Sequence, residues 1–141
     1  MYKYVNEAWQ KNLKEKPENI KERLIAWRKE PTMVRLERPT RIDRARRLGY
    51  KAKQGFIVVR IKVGKGGMRK SRPRSGRRPK HLGTVKIKAN VSAREVAERR
   101  VAKKYPNLKV LNSYFLYQDG KHIWHEVILV DLNHPANANK F

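Results

Sequence analysis

The sequence predicts an α+β domain: a small, mostly antiparallel sheet laid down as strand, basic loop, helix and β-hairpin, with amino-terminal helices packed alongside. Three stretches carry this prediction. "GFIVVRIKV" alternates, with Ile57, Val59, Ile61 and Val63 on one side and Phe56, Val58, Arg60 and Lys62 on the other, as a strand with a buried face does. "VSAREVAERRVAKKYP" opens on the Ser92/Glu95 capping-box spacing and closes on Pro106, so a helix is expected from Ala93 to about Lys104, with Ala93, Val96, Ala97 and Val101 inward and Val91 stapled to Val96. "LKVLNSYFLYQDGKHIWHEVILVD" places two strand-like runs around Asp119 and Gly120, a hairpin signal.

The remaining elements follow in chain order. Val5, Ala8, Trp9, Asn12 and Leu13 recur at the spacing of one helical face, and Pro17 suits the start of a second helix whose stripe is Ile20, Leu24 and Trp27, ending at Pro31. Both tryptophans lie on these stripes and are read as core anchors rather than base-stacking platforms. In "RLERPTRIDRARRLGY", Thr40 and Asp43 have capping-box spacing, and Gly49 is placed for the left-handed turn after Leu48. Ile42, Ala45 and Leu48 would face protein, while Arg41, Arg44 and Arg47 recur every third residue and share a face. "GKGGMRKSRPRSGRRPK", residues 64–80, has no periodicity and too little apolar surface for a core, so it reads as an extended arm that orders only against a partner. With it, the basic loop spans about 64–90 of a single domain covering residues 1–141.

Charge states the functional class. The chain carries 36 Lys+Arg against 12 Asp+Glu, a formal net charge of +24. That excess opposes the chain's own compaction and attracts polyanions. No acidic residue lies between Asp43 and Glu95, and this interval holds half of all the lysines and arginines. Elsewhere, as in "KNLKEKPENIKERLIAWRKEP", both signs mix at helical spacing, the pattern of an ordinary solvated face. The acid-free interval is therefore the electrostatic footprint of a nucleic-acid contact. A membrane partner is disfavoured, since no apolar run approaches the roughly 20 residues of a spanning helix and "MYKYVNEAWQ" lacks a signal core. Intracellular residence is the default expectation. With no cysteine there is no disulfide, thiolate zinc site or cysteine nucleophile.

Other chemistry is weakly supported. His122 and His125 are three apart, so on a strand their imidazoles point to opposite faces, and zinc needs three or four clustered ligands. "GKGG" lacks the G-x-x-x-x-G-K-[ST] spacing of a phosphate loop. Glu95 is used as a cap, leaving no acid pair with Glu98 for metal-assisted cleavage. Phe115 and Tyr117 would share one face of their strand with Tyr114 opposite, and core packing is the expected role of all three. Tyr50, set among Arg46, Arg47, Lys51 and Lys53, stands apart as a ring able to pack on ribose or base. No catalytic residue, cofactor, metal or small-molecule substrate is expected.

"RPTRIDRARRLGYKAKQGFIVVRIKV", followed by a glycine pair and a basic loop, then "VLNSY" and "HEVILVD", resembles the archaeal and eukaryotic large-subunit ribosomal protein fifteen-e family, and "YKYVNEAW" is similar too. The likeness runs over essentially the whole chain and is nearest the archaeal branch. It implies a structural, non-catalytic protein of the cytoplasmic large ribosomal subunit, with large-subunit rRNA and neighbouring ribosomal proteins as partners. Carried over by motif, the RNA-contacting residues are Arg38, Arg41, Arg44, Arg46, Arg47, Tyr50, Lys51 and Lys53, then Arg69, Lys70, Arg72, Arg74, Arg77, Arg78 and Lys80 of the arm. Family members continue into a basic tail, whereas this sequence ends at "NHPANANKF", so the tail is either cut off or naturally absent. The rival expectation is a general binder or compactor of double-stranded nucleic acid.

Overall fold

A computed structural model of the chain describes residues 2–67, 71–83 and 90–137. Helices α1 (Tyr2–Glu15) and α2 (Glu18–Lys29) are followed by strand β1 (Met33–Leu36), short helix α3 (Ile42–Arg47) and strand β2 (Phe56–Gly64). A single 3-10 turn (Pro79–His81) precedes helix α4 (Ala93–Lys104), and strands β3 (Lys109–Gln118) and β4 (His122–Val130) complete the chain. The strands form one antiparallel sheet in the order β1-β2-β4-β3. The expected α+β architecture is what forms, with one element the sequence did not announce. β1 is only "MVRL", too short for alternation to register and set between Pro31 and Pro39.

β2 and β4 lie in the middle of the sheet, so both of their faces are covered. Val59, Ile61 and Val63 meet Ala97 and Val101 of α4 together with Val127 and Leu129. On the opposite face Val58 packs with Ile20, Leu24 and Trp27 of α2, Ala45 of α3, and Trp124 and Ile128. The alternation read from β2 therefore holds, but it sorts residues between two cores instead of between core and water. Each such aliphatic side chain contributes about 1.5–3 kcal/mol by leaving water. Trp27 and Trp124 meet at 6.0 Å in a tilted pair, which joins α2 to the sheet centre.

The structure departs from the local reading in four places. The inward stripe of α1 is Trp9 and Leu13, while Val5 and Ala8 are exposed, because α1 sits at the periphery and covers only a narrow line. Thr40 does not cap α3; its hydroxyl is bound to Glu126, and Arg41 occupies the cap position without a side-chain bond. At α4 the Ser92 cap forms, with Glu95 N–H donating to Ser92 Oγ at 3.2 Å, but Glu95 is drawn to Arg99 and Val91 is 40% exposed. In β3 a bulge at Leu116 breaks the alternation: Tyr114, Leu116 and Tyr117 enter one core, and Phe115, expected beside Tyr117, is left 38% exposed.

A glycine is required at the entrance to β2. Gly55 has φ +83°, and a Cβ there would lie 2.2 Å from Nδ2 of Asn137. Gly55 O accepts from Asp131 N–H at 2.8 Å and Asn137 Nδ2 donates to Asp131 O at 3.0 Å, so the chain after β4 is folded back on this turn.

Candidate nucleic-acid interface

Helix α3 carries the arginines the sequence singles out, yet six residues are far too few for a helix to persist by itself. Tertiary contacts fasten both of its ends. In front of it, Thr40 donates to the carboxylate of Glu126 twice, from N–H at 3.1 Å and from Oγ1 at 2.5 Å. Tyr114 Oη donates to the same carboxylate from the neighbouring strand. Glu126 is fully buried in the sheet, and burial pushes its carboxyl above the usual range, opposed by the bonds from Thr40 and Tyr114. Burial and the nearby carboxylate together push the Tyr114 phenol upward, so it stays a donor.

Beyond Thr40, the Arg41 guanidinium turns inward. Its Nη2 donates to Asp43 Oδ2 at 3.1 Å and to Asn6 Oδ1 at 2.9 Å, and its plane lies over the Trp9 ring at 5.3 Å, so one side chain ties α3 to α1. At the other end Gly49 has φ +97°; its N–H donates to Arg46 O at 3.1 Å and Tyr50 N–H donates to Ala45 O at 3.0 Å. This is the Schellman arrangement. It returns Tyr50 against Ala45, where its ring meets Phe56 edge-on at 6.2 Å in the core.

With its ends fastened, α3 turns Arg44, Arg46 and Arg47 outward, all exposed. Arg44 and Arg47 line one cleft of about 460 Å³, which the inward-turned Arg41 also borders. The opposite wall comes from α4 and the outer strand β3, through Arg94, Ser113, Phe115 and, behind them, His125 of β4. Arg94 is held by Ser113 Oγ at 2.9 Å, by Glu98 Oε1 at 3.3 Å and by Asn112. His125 is 5% exposed, neither ring nitrogen has a hydrogen-bond partner, and its ring lies edge-on to Phe115 at 6.1 Å. Leaving such a polar group unsatisfied costs about 1–3 kcal/mol. Burial and then the Arg94 charge hold the His125 imidazole below its ordinary value.

The expected contact residues thus divide. Arg38, Arg44, Arg46, Arg47 and Lys51 are exposed, as are Arg72, Arg74, Arg77, Arg78 and Lys80 of the arm, and among the described residues none of these has a carboxylate partner. Arg41 and Tyr50 are inside, for the reasons given by the two helix ends. Lys53 is half-buried and reaches Ala136 O at 2.5 Å. Arg69 and Lys70 lie outside the described residues. Residues 71–78 form neither helix nor strand. The sequence reading missed Arg94 and His125 as members of this surface. Arg94 lies in the acid-free interval, so its charge was legible; what was not is that pairing of β3 with β4 would set Phe115 opposite His125 at the same cleft.

Buried cations are treated differently. Arg60, in register with Glu126 on the adjacent strand, pairs with Glu30 at 2.5 Å and lies over Trp27 at 4.4 Å. Among the described residues no three His, Cys, Asp or Glu side chains gather as a metal site, and no helix is long and apolar enough to cross a membrane. His122 and His125 separate as strand geometry requires, His122 lying by Trp124 at 5.9 Å and His125 by Phe115.

An arginine-bearing helix on a two-sided sheet is compatible with the ribosomal resemblance. The comparison with family models agrees over nearly the full length: the model described as Ribosomal L15 matches residues 1–140. The chain belongs to this family of structural proteins of the large ribosomal subunit.

Proposed function

We propose that this protein stabilises folded large-subunit rRNA by neutralising phosphates where RNA helices approach one another. The observation that carries the reading is the set of exposed guanidinium groups on α3 without carboxylate partners among the described residues, held on a helix that the buried Glu126 and Arg41 networks keep in place. Guanidinium forks grip phosphate oxygens in pairs. Such contacts fix position without reading sequence, and A-form RNA conceals its base edges in a deep, narrow groove, so RNA shape is the principal thing recognised. The arm, residues 64–90, supplies further cations that settle into crevices of the same RNA. Neighbouring ribosomal proteins and residence in the cytoplasmic ribosome complete the proposal, as does a purely structural, non-catalytic role.

Competition tests it. Folded rRNA domains of the large subunit should displace a labelled rRNA fragment from the purified chain far better than duplex DNA of equal charge does. Equal displacement by the two would support a general double-helix binder instead. Retention of the protein on large subunits through a high-salt wash is the matching observation on the native particle.

A further inference from the structure

The cleft between α1, α3, α4 and the outer strand β3 has features that phosphate neutralisation leaves unused. Its rim is cationic through Arg44, Arg47 and Arg94. Beside these cations the cleft is lined by Phe115, an exposed aromatic ring, and by His125, a buried imidazole with two unspent nitrogens. The imidazole is held neutral near pH 7 by burial and by Arg94, so it carries one donor and one acceptor. A neutral ring is a poor receptor for an anion, but either of its nitrogens, which point apart, can bond one donor or acceptor on the edge of a nucleobase. A volume of about 460 Å³ is also within the range of small-molecule sites.

Resting on the RNA-binding reading above, we infer that this cleft receives one nucleotide turned out of its helix, with its phosphate on the Arg44 and Arg47 forks, its base against Phe115, and the base edge bonded to His125. Arg94, fastened by Ser113, Glu98 and Asn112, closes the rim beside the base. Unstacked bases are the part of RNA open to this kind of recognition, and aromatic side chains are their usual support. The protein thereby reads one unpaired position within an RNA otherwise recognised by shape. Satisfying one of the two orphan nitrogens is what the ligand contributes in return.

The test uses the full chain and short A-form RNA duplexes in three forms: uninterrupted, with one bulged nucleotide, and with an abasic sugar at the bulge. The bulge is made with each of the four bases in turn. We expect at least one bulged base to bind about tenfold tighter than the abasic form, the scale of one base stacked on an aromatic ring. Phe115→Ala, an exposed position, should reduce that ratio to about one, and His125→Phe should do the same, each ratio being taken between base-containing and abasic bulges on the same variant. If His125→Phe fails to fold, Phe115→Ala alone decides. Equal binding of abasic and all four base-containing bulges by the natural chain overturns the pocket but not the phosphate reading. Failure to bind any of the RNAs overturns both.

Discussion

Two groups of arginines, drawn from the same stretch Arg41 to Arg60, are handled in opposite ways. Arg41 and Arg60 are buried, and each meets a carboxylate, Asp43 and Glu30 respectively. Arg44, Arg46 and Arg47 are exposed and meet none among the described residues. Inside the fold the compensating charge is built into the chain. On the rim it is left to a partner. The first group gives the domain a shape, and the second gives it a reason to be near a polyanion, so substitutions in the two should separate stability from binding.

The largest effect is expected at Arg41. Arg41→Ala leaves Asp43 buried without its cation and severs α3 from Asn6 of α1; breaking a buried pair in this way costs about 3–5 kcal/mol. Thermal or urea unfolding measures it, and a loss below about 1 kcal/mol would mean that α3 is not held as described. Gly55→Ala comes next, with about 1–3 kcal/mol expected from a non-glycine residue in the left-handed region and a displaced Asn137 side chain. It should leave RNA affinity at permissive temperature untouched.

Rim substitutions should do the reverse. Arg44→Ala and Arg47→Ala are expected to leave the unfolding midpoint within experimental scatter and each to lower the salt dependence of RNA binding by about 0.7–0.9 in the log-log slope, one phosphate contact apiece. Lys14→Glu, on the mixed-charge helix α1, should change the slope far less. A midpoint shift in Arg44→Ala comparable to that of Arg41→Ala would erase the distinction between the two groups.

The smallest effect is one of pH. Because burial and Arg94 hold the folded His125 imidazole below its ordinary value, the unfolded chain takes up a proton first as pH falls from neutrality. The His125 contribution to stability is therefore present above the unfolded value and is lost on acidification. Glu126 acts in the opposite sense, since its raised carboxyl favours proton uptake in the folded state. The difference between natural chain and His125→Phe isolates the histidine: the variant should lose less stability between about pH 7.5 and 5.5. An unchanged pH profile would show that the imidazole is not buried as described.

Much of this was legible in the sequence, because it depends on local rules. The alternation of β2, the Ser92 cap of α4, the turn at Gly49 and the hairpin at Asp119 each follow from neighbouring residues, and so does the acid-free interval that marks the cationic rim. What was not legible arises from distant pairing. Thr40 has a capping residue's chemistry, but Glu126, eighty-six positions away, competes for it and wins, because a fully buried carboxylate must be met by donors. Arg41 reads as part of the arginine face until Asp43 and Asn6 draw its guanidinium inward. The bulge at Leu116 depends on register with β4, and it moves Tyr117 from the face of Phe115 to that of Tyr114.

The salt dependence of rRNA binding tests the central claim most directly. Exposed guanidinium groups on α3 without carboxylate partners among the described residues, together with the cations of the arm, predict a log-log slope of magnitude about 4 or more, equivalent to at least about five phosphate contacts. A slope between about −1 and −2 would mean that one or two contacts suffice, and that the exposed arginines are not held out for phosphate.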